Sequence, residues 1–365
     1  MGQTAERHHT TTVAEGDGAR PTRQRSLVLV AGPGRSGTSL FTGIMQRLGF
    51  YVPQPEVAPD DTNPRGFGES LWAVDFHAGL LKTARVHVSD ARPAAWARTA
   101  QVALDASVQR QLRRWLEKQF GQADDLIIKD PRLSWFLPLW RRCAEEVGAA
   151  PRVVTVLRHP AAVIDSKQRS YGTWQGDVSR AASWLNQMLF TERATRDAPR
   201  AFVRYDDLLL DWTRVIGRVA DALDLAAIRD APVAAMRRAH EYVDQSLSRS
   251  RASWDDVEIP AALREQADRV WELVSQLAGD DEPDLEAVTE KLEAARAAYI
   301  DLYTEAERIA QSSIIEARRG RGSASASDNG VAWLVKKVPD RYRRKVPPQW
   351  RRAIARVLYR NPKIR

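Results

Sequence analysis

Fourteen consecutive residues constrain this chain more than any others: Leu27-Val28-Leu29-Val30-Ala31-Gly32-Pro33-Gly34-Arg35-Ser36-Gly37-Thr38-Ser39-Leu40. The apolar, β-branched run from Leu27 to Ala31 suits a strand buried on both faces. Gly32, Gly34 and Gly37 then fall within six positions, among Pro33, Arg35, Ser36, Thr38 and Ser39. Apolar residues at helical spacing follow, Leu40, Ile44, Met45 and Leu48, and stop at Gly49. Strand, glycine-rich turn and helix is the geometry that aims backbone N–H groups at an anion, and the helix dipole reinforces it. The expected fold is therefore α/β: a three-layer, P-loop-like architecture around a central, mainly parallel sheet.

The loop approaches the pattern G-x-x-x-x-G-K-[ST] and departs from it at one position. Gly32 and Gly37 occupy the two glycine places, and Thr38 stands where a lysine serves the β- and γ-phosphates of a nucleoside triphosphate. The cation has moved into the loop, as Arg35. This argues against an ATPase or GTPase and for a shorter anion with positive charge at the transferred group.

Two further stretches follow in order. Val153-Val154-Thr155-Val156-Leu157-Arg158-His159-Pro160, continuing from Ala161 to Ser166, reads as a strand ending in a cation before a helix. Phe202-Val203-Arg204-Tyr205-Asp206-Asp207-Leu208 reads as another strand and turn. Together with Gly34-Arg35-Ser36-Gly37-Thr38-Ser39, these segments resemble the sulfotransferases that use 3′-phosphoadenosine 5′-phosphosulfate (PAPS). The resemblance spans about residues 27–210.

It implies that Gly34, Arg35, Ser36, Gly37, Thr38 and Ser39 cradle the 5′-phosphosulfate. Arg158 and Ser166, eight residues apart, would hold the 3′-phosphate, with Arg169 one turn further on. PAPS would be the co-substrate, no metal would be needed, and the reaction would be sulfuryl transfer to a hydroxyl or amine. Cytosolic members carry a His base in a Lys-x-His segment after a strand. Here that segment is Lys129-Asp130-Pro131, so the His is absent. Glu69 is the first candidate base, because Asn63-Pro64-Arg65-Gly66-Phe67-Gly68-Glu69 resembles an acceptor-facing segment of bacterial members. Asp130 is the second, and Lys129 a candidate stabiliser of the transferring group. The expected catalytic set is thus Arg35, Glu69, Lys129 and Asp130. His77 reads as helix packing, and His159 as a helix N-terminal residue.

The remaining organisation follows from composition and periodicity. Residues 1–25 are polar and read as a disordered leader. Residues 26–255 carry the α/β domain. Within it, 100–120 reads as one amphipathic helix, Leu126–Ile128 as a strand, and Asp177–Asp197 as a helix capped by Asp177 or Ser179. Residues 256–319 form a helical, coiled-coil-like hairpin. Leu263, Ala267, Val270, Val274 and Leu277, then Leu285, Val288, Leu292, Ala295, Tyr299, Leu302, Ala306 and Ile309, step by three and four. Two arrangements satisfy that seam: packing on its own domain, or a homodimer arm at 261–319.

A Gly/Ser/Ala linker at 320–332 precedes a basic tail at 333–365. Residues 331–365 hold twelve Lys/Arg against the single acid Asp340, which leaves residues 1–330 at −3 of the total +8. In the tail, Trp350, Ala353, Ile354, Val357 and Leu358 share one helical face, a pattern suited to an anionic membrane surface. Cys143 is the one cysteine, which excludes a disulfide framework or a cysteine metal site. No apolar run approaches a transmembrane length, and no apolar signal segment opens the chain. The expectation is a cytoplasmic enzyme, peripheral at the inner membrane face through its tail, with no specific nucleic-acid partner. The acceptor is expected to be a glycan, glycolipid or small metabolite. Two rivals stay open: a P-loop kinase or NTPase, and a non-catalytic scaffold working through its coiled coil and tail.

Overall fold

The computed structural model describes residues 24–171, 175–244, 253–280 and 283–316. Residues 1–23 of the leader, the linker at 320–332 and the basic tail at 333–365 lie outside the described residues.

In chain order the elements are β1 (Arg25–Ala31), α1 (Thr38–Arg47), α2 (Leu71–Ala84), α3 (Ala95–Ala103), α4 (Ala106–Phe120), β2 (Asp125–Lys129), α5 (Leu137–Glu146), β3 (Ala149–Leu157), α6 (Pro160–Tyr171), α7 (Asp177–Arg193) and β4 (Arg200–Arg204). There follow α8 (Tyr205–Leu210), α9 (Trp212–Ala222), α10 (Ala226–Arg229), α11 (Val233–Tyr242), α12 (Ala261–Gln276) and α13 (Leu285–Ile309). The four strands form one parallel sheet in the order β2-β1-β3-β4.

The apolar run of β1 explains its central place. Leu27, Leu29 and Ala31 enter one core with residues of α2, α4 and α5, while Val28 and Val30 enter the other with α1 and α9. A strand covered by helices on both faces needs apolar side chains at every position, and β1 has them. The chain is thus an α/β protein with helical layers on both sides of a parallel sheet. From β1 the connection runs to β2 on one side, and from β3 it runs to β4 on the other. The carboxyl ends of β1 and β3 therefore flank a topological switch point, where open α/β sheets bind ligands.

Several boundaries differ from the sequence reading. The helix expected over 100–120 is two helices, broken at Leu104 and Asp105. The Asp105 carboxylate caps the second by accepting from Ser107 N at 2.7 Å and Val108 N at 3.2 Å. The α7 cap is neither Asp177 nor Ser179, because Gly176 occupies that place and Asp177 pairs with Arg180 at 3.0 Å instead.

The chain divides into two compact units, residues 1–301 and 302–365. Helix α12 lies in the first and packs chiefly against α7. Its seam residues Leu263, Ala267, Val270 and Val274 are buried. Val288, Leu292, Ala295 and Tyr299 of α13 are buried too, and Tyr299 donates to the carbonyls of Ala91 and Ala182 at 2.5 and 2.8 Å. Of the seam from Leu263 to Tyr299, Leu285 is exposed and Leu277 half-buried, while the other seam positions are buried within the chain. In the second unit the described residues carry the end of α13, where Ile309 is exposed. Among the described residues no helix is long and apolar enough to cross a membrane.

Lys167 of α6 is buried, donates to Ser89 Oγ at 3.3 Å, and is pushed down to about 8 by burial and then by Arg180. A lysine whose folded value lies below its ordinary 10.5 weakens the fold as pH falls through that interval. The gap corresponds to about 3 kcal/mol. Lys167→Met is therefore expected to raise Tm near neutral pH. It should also abolish a rise in stability between pH 8 and 10.5, as read by denaturant melts across that range.

Candidate functional site

A cleft of about 670 Å³ opens at the carboxyl ends of the strands. The loop after β1 and the start of α1 line it with Gly34, Arg35, Gly37, Thr38 and Ser39; β2 contributes Lys129, the residue after β3 is Arg158, and α6 adds Ser166 and Arg169. Three segments distant in sequence thus converge because their strands lie side by side. In register, Lys129 sits beside Val30 and Thr155 beside Ala31.

The loop geometry rests on two glycines. A Cβ at Gly32 would lie 2.6 Å from the Val156 carbonyl oxygen, and one at Gly37 2.1 Å from Tyr205 Cδ2. Gly37 also has φ +94°, a region that side-chain-bearing residues avoid. Gly37→Ala is accordingly expected to push Tyr205 and the loop apart and to lose anion binding. A nucleotide titration should register this far more strongly than a thermal melt.

Arg35 takes the same strained region, at φ 77°, which costs on the order of 1–3 kcal/mol. That conformation sends its side chain to Ser166, where Nε donates to Oγ at 3.1 Å, and toward the Thr62 carbonyl at 3.4 Å. Arg158 Nη1 donates to the Arg35 carbonyl at 3.0 Å, and its guanidinium lies 4.6 Å from the centre of the Tyr205 ring. Burial pulls Arg158 below its ordinary value, while Tyr205 and Asp206 act the other way. An arginine remains cationic under such a shift. Arg35, Arg158 and Ser166 thus form one contiguous cationic corner. Arg169 lines the same cleft and pairs with Asp165 at 2.6 Å.

Ser36 departs from the expectation for the loop. Its side chain is buried and does not line the cleft, and its N–H donates to the Pro33 carbonyl at 3.1 Å. It closes the turn rather than facing the cleft.

Opposite the cationic corner, Lys129 Nζ pairs with Glu69 Oε1 at 2.5 Å and donates to Ser39 Oγ and the Phe67 carbonyl, each at 3.1 Å. Burial pushes the Glu69 carboxyl above the ordinary carboxylate range, Lys129 opposes that rise, and Asp130 adds to it. A buried carboxylate with one cationic partner, on the wall of a cleft, has the properties of a proton acceptor.

Asp130 is placed differently. Its Oδ2 meets His77 Nδ1 at 2.7 Å, and its Oδ1 accepts from Arg132 N at 3.0 Å and Arg132 Nη1 at 2.8 Å. Burial pushes this carboxyl up, but the His77 and Arg132 contacts outweigh it and hold it below the ordinary range. Trp140 Nε1 lies 2.8 Å from His77 Nε2. Indole N–H can only donate, so Nε2 carries the lone pair and Nδ1 the proton given to Asp130. With both oxygens engaged and no surface on the cleft, Asp130 anchors the turn after β2. The expectation of Asp130 as an alternative base is corrected on that ground.

Several cleft residues carried no individual role in the sequence reading. Thr62 supplies the carbonyl that Arg35 approaches, and Asn63 Nδ2 reaches Ser39 Oγ at 3.3 Å. Tyr205 was visible within its motif, but its role as the surface under Arg158 depends on β3 and β4 being neighbours. Tyr242, at the end of α11, has no local signal. Its ring is faced by Arg47 at 3.6 Å and Arg65 at 5.7 Å, and Arg65 also pairs with Asp244 at 2.8 Å. Among the described residues no group of three or more His, Cys, Asp or Glu is arranged to hold a metal ion.

No protein-family profile and no curated protein matches the sequence. Three solved chains match the fold. One is the sulfotransferase domain of the Synechococcus PCC 7002 olefin synthase. It shares 19% identity with a TM-score of 0.41, over 72% of this chain and 98% of that one. At that level the likeness carries no argument about activity.

Proposed function

We propose that this chain transfers the sulfuryl group of PAPS to a hydroxyl or amine of an acceptor. The observation that supports this reading is the pairing of two cationic positions in one cleft: Arg35 on the glycine-rich loop, and Arg158 just after β3, joined through the Arg35 carbonyl and Ser166. A donor with a 5′-phosphosulfate and a separate 3′-phosphate needs two such sites, and a nucleoside triphosphate does not.

In this reading Glu69 takes the proton of the acceptor O–H or N–H as that atom bonds to sulfur. The S–O bond to the 5′-phosphate breaks, and its electron pair stays on the phosphate oxygen. Arg35 and the cleft-facing loop N–H groups receive that charge, a positioned electrostatic contribution that requires no reorganisation at the moment of transfer. Lys129, between Glu69 and Ser39, balances charge on the acceptor side. A glycan, glycolipid or small metabolite remains the proposed acceptor, and the homodimer and the membrane-facing tail remain proposals alongside it.

One observation favours the rival nucleotide enzyme. Lys129 Nζ at 3.1 Å from Ser39 Oγ restores an ammonium beside the loop despite Thr38. Its engagement with Glu69 weighs against that role. Thermal shift with 3′,5′-ADP, ATP, GTP and 5′-AMP, with and without Mg²⁺, separates the two. A ligand near a hundred times its Kd stabilises by about 2.7 kcal/mol. A metal-independent shift with 3′,5′-ADP is the expected result. A shift confined to ATP or GTP with Mg²⁺ overturns the proposal, and no shift with any nucleotide favours the scaffold.

A further inference from the structure

His159 stands between Arg158 and Pro160, the first residue of α6. Ala161 N–H donates to His159 Nδ1 at 3.3 Å, and Val163 N–H donates to the His159 carbonyl at 3.1 Å. The imidazole thus caps α6, a role more often filled by Ser, Thr, Asp or Asn. With Nδ1 accepting, the ring proton lies on Nε2. That nitrogen faces Asp268 Oδ1 at 3.8 Å, and the same oxygen accepts from Trp254 Nε1 at 2.7 Å. Trp254 and Trp271 meet the imidazole edge-on, with ring centres 5.6 and 5.5 Å away. Asp268 and Trp271 belong to α12, far along the chain from the cleft loops. Burial pushes His159 down, against Asp268 and Asp206, which favours the neutral capping form.

We infer that His159 is a positioning residue for the Arg158 anion site and that α12 supports that site. The clamp of Trp254, Trp271 and Asp268 fixes the imidazole. The imidazole caps α6, and the cap fixes the turn from which Arg158 reaches the Arg35 carbonyl and the Tyr205 ring. None of these three clamp residues lines the cleft, so their effect passes through the backbone of residues 158–161. The inference rests on the proposed reading of Arg158 as the 3′-phosphate site.

The test is calorimetric titration of the full chain with 3′,5′-ADP and with 5′-AMP, whose affinity ratio isolates the 3′-phosphate. Overall destabilisation does not move that ratio. His159→Ala is expected to lower it about tenfold, the loss of roughly one charge-assisted hydrogen bond, while the 5′-AMP affinity stays within about twofold. His159→Asn, which can cap α6 through its side-chain oxygen, should retain most of the ratio. Asp268→Ala should lower it in the same direction and carries the test if His159→Ala does not fold. A wild-type ratio in both His159→Ala and Asp268→Ala overturns the inference, as does an equal loss in His159→Asn and His159→Ala. If the unmodified chain itself does not prefer 3′,5′-ADP over 5′-AMP, the proposed function fails and this inference fails with it, a result distinct from either of the others.

Discussion

Arg158→Ala is expected to weaken binding of 3′,5′-ADP by about 10²–10⁴-fold, the loss of two charge-assisted hydrogen bonds at roughly 1.5–3 kcal/mol each. Binding of 5′-AMP should change much less, because Arg35 and the loop after β1 stay in place. The side chain is partly buried over Tyr205, so a modest fall in Tm is expected as well. Arg158→Lys should not restore affinity, since a single ammonium cannot both reach the Arg35 carbonyl and present a planar fork to a phosphate. Calorimetry on the two variants checks this. Wild-type affinity in Arg158→Ala would remove the second anion site and with it the case for PAPS.

Glu69→Gln is the second large effect. The amide keeps the size of the side chain but cannot take a proton, so turnover should fall by about 10²–10⁴, the usual contribution of a general base. Nucleotide affinity should be unchanged. Release of sulfate from PAPS to water, and transfer to a panel of hydroxyl acceptors, provide the measurement. Wild-type turnover in Glu69→Gln would refute the assignment.

The pH profile gives the same residue a second test. A base works only when deprotonated, and burial raises Glu69 above the ordinary carboxylate range. The rate should therefore fall on the acid side at a higher pH than a surface glutamate would give. Lys129 opposes the rise, so Lys129→Met should move that acid limb further up. The same substitution leaves a buried carboxylate without its cation and should destabilise the fold by about 3–5 kcal/mol. The limb is best read at a temperature where the variant stays folded.

The comparison between sequence and structure divides along the range of the interactions. Strand β1, its glycine-rich loop and α1 were legible because their determinants are contiguous: an apolar run, glycines where φ is positive or a neighbour is close, then helical spacing. Arg158 and Ser166 were legible for the same reason, lying on one strand–helix junction. Where two local readings competed, the sequence alone did not choose. The three-and-four spacing of Leu263 to Tyr299 suits a coiled-coil seam and an ordinary buried face equally well; α7 packs against the α12 part of it, and the dimer stays a proposal.

The roles of the acids were beyond local reading. Glu69 ranked ahead of Asp130 as a candidate base only through the resemblance of its segment, one lying before a helix and one after a strand. Tertiary structure separates them by what surrounds each carboxylate. Glu69 meets one ammonium on the cleft wall, whereas Asp130 is enclosed by His77 and Arg132 away from it. His159 likewise read only as a helix start until α12 was laid against it. Sequence by itself determined which segments turn backbone and cations toward the cleft, because those depend on φ, spacing and residue type within a few positions. Tertiary structure alone decided which carboxylate faces the cleft and which histidine is clamped, because desolvation and pairing depend on side chains brought together from far apart in the chain.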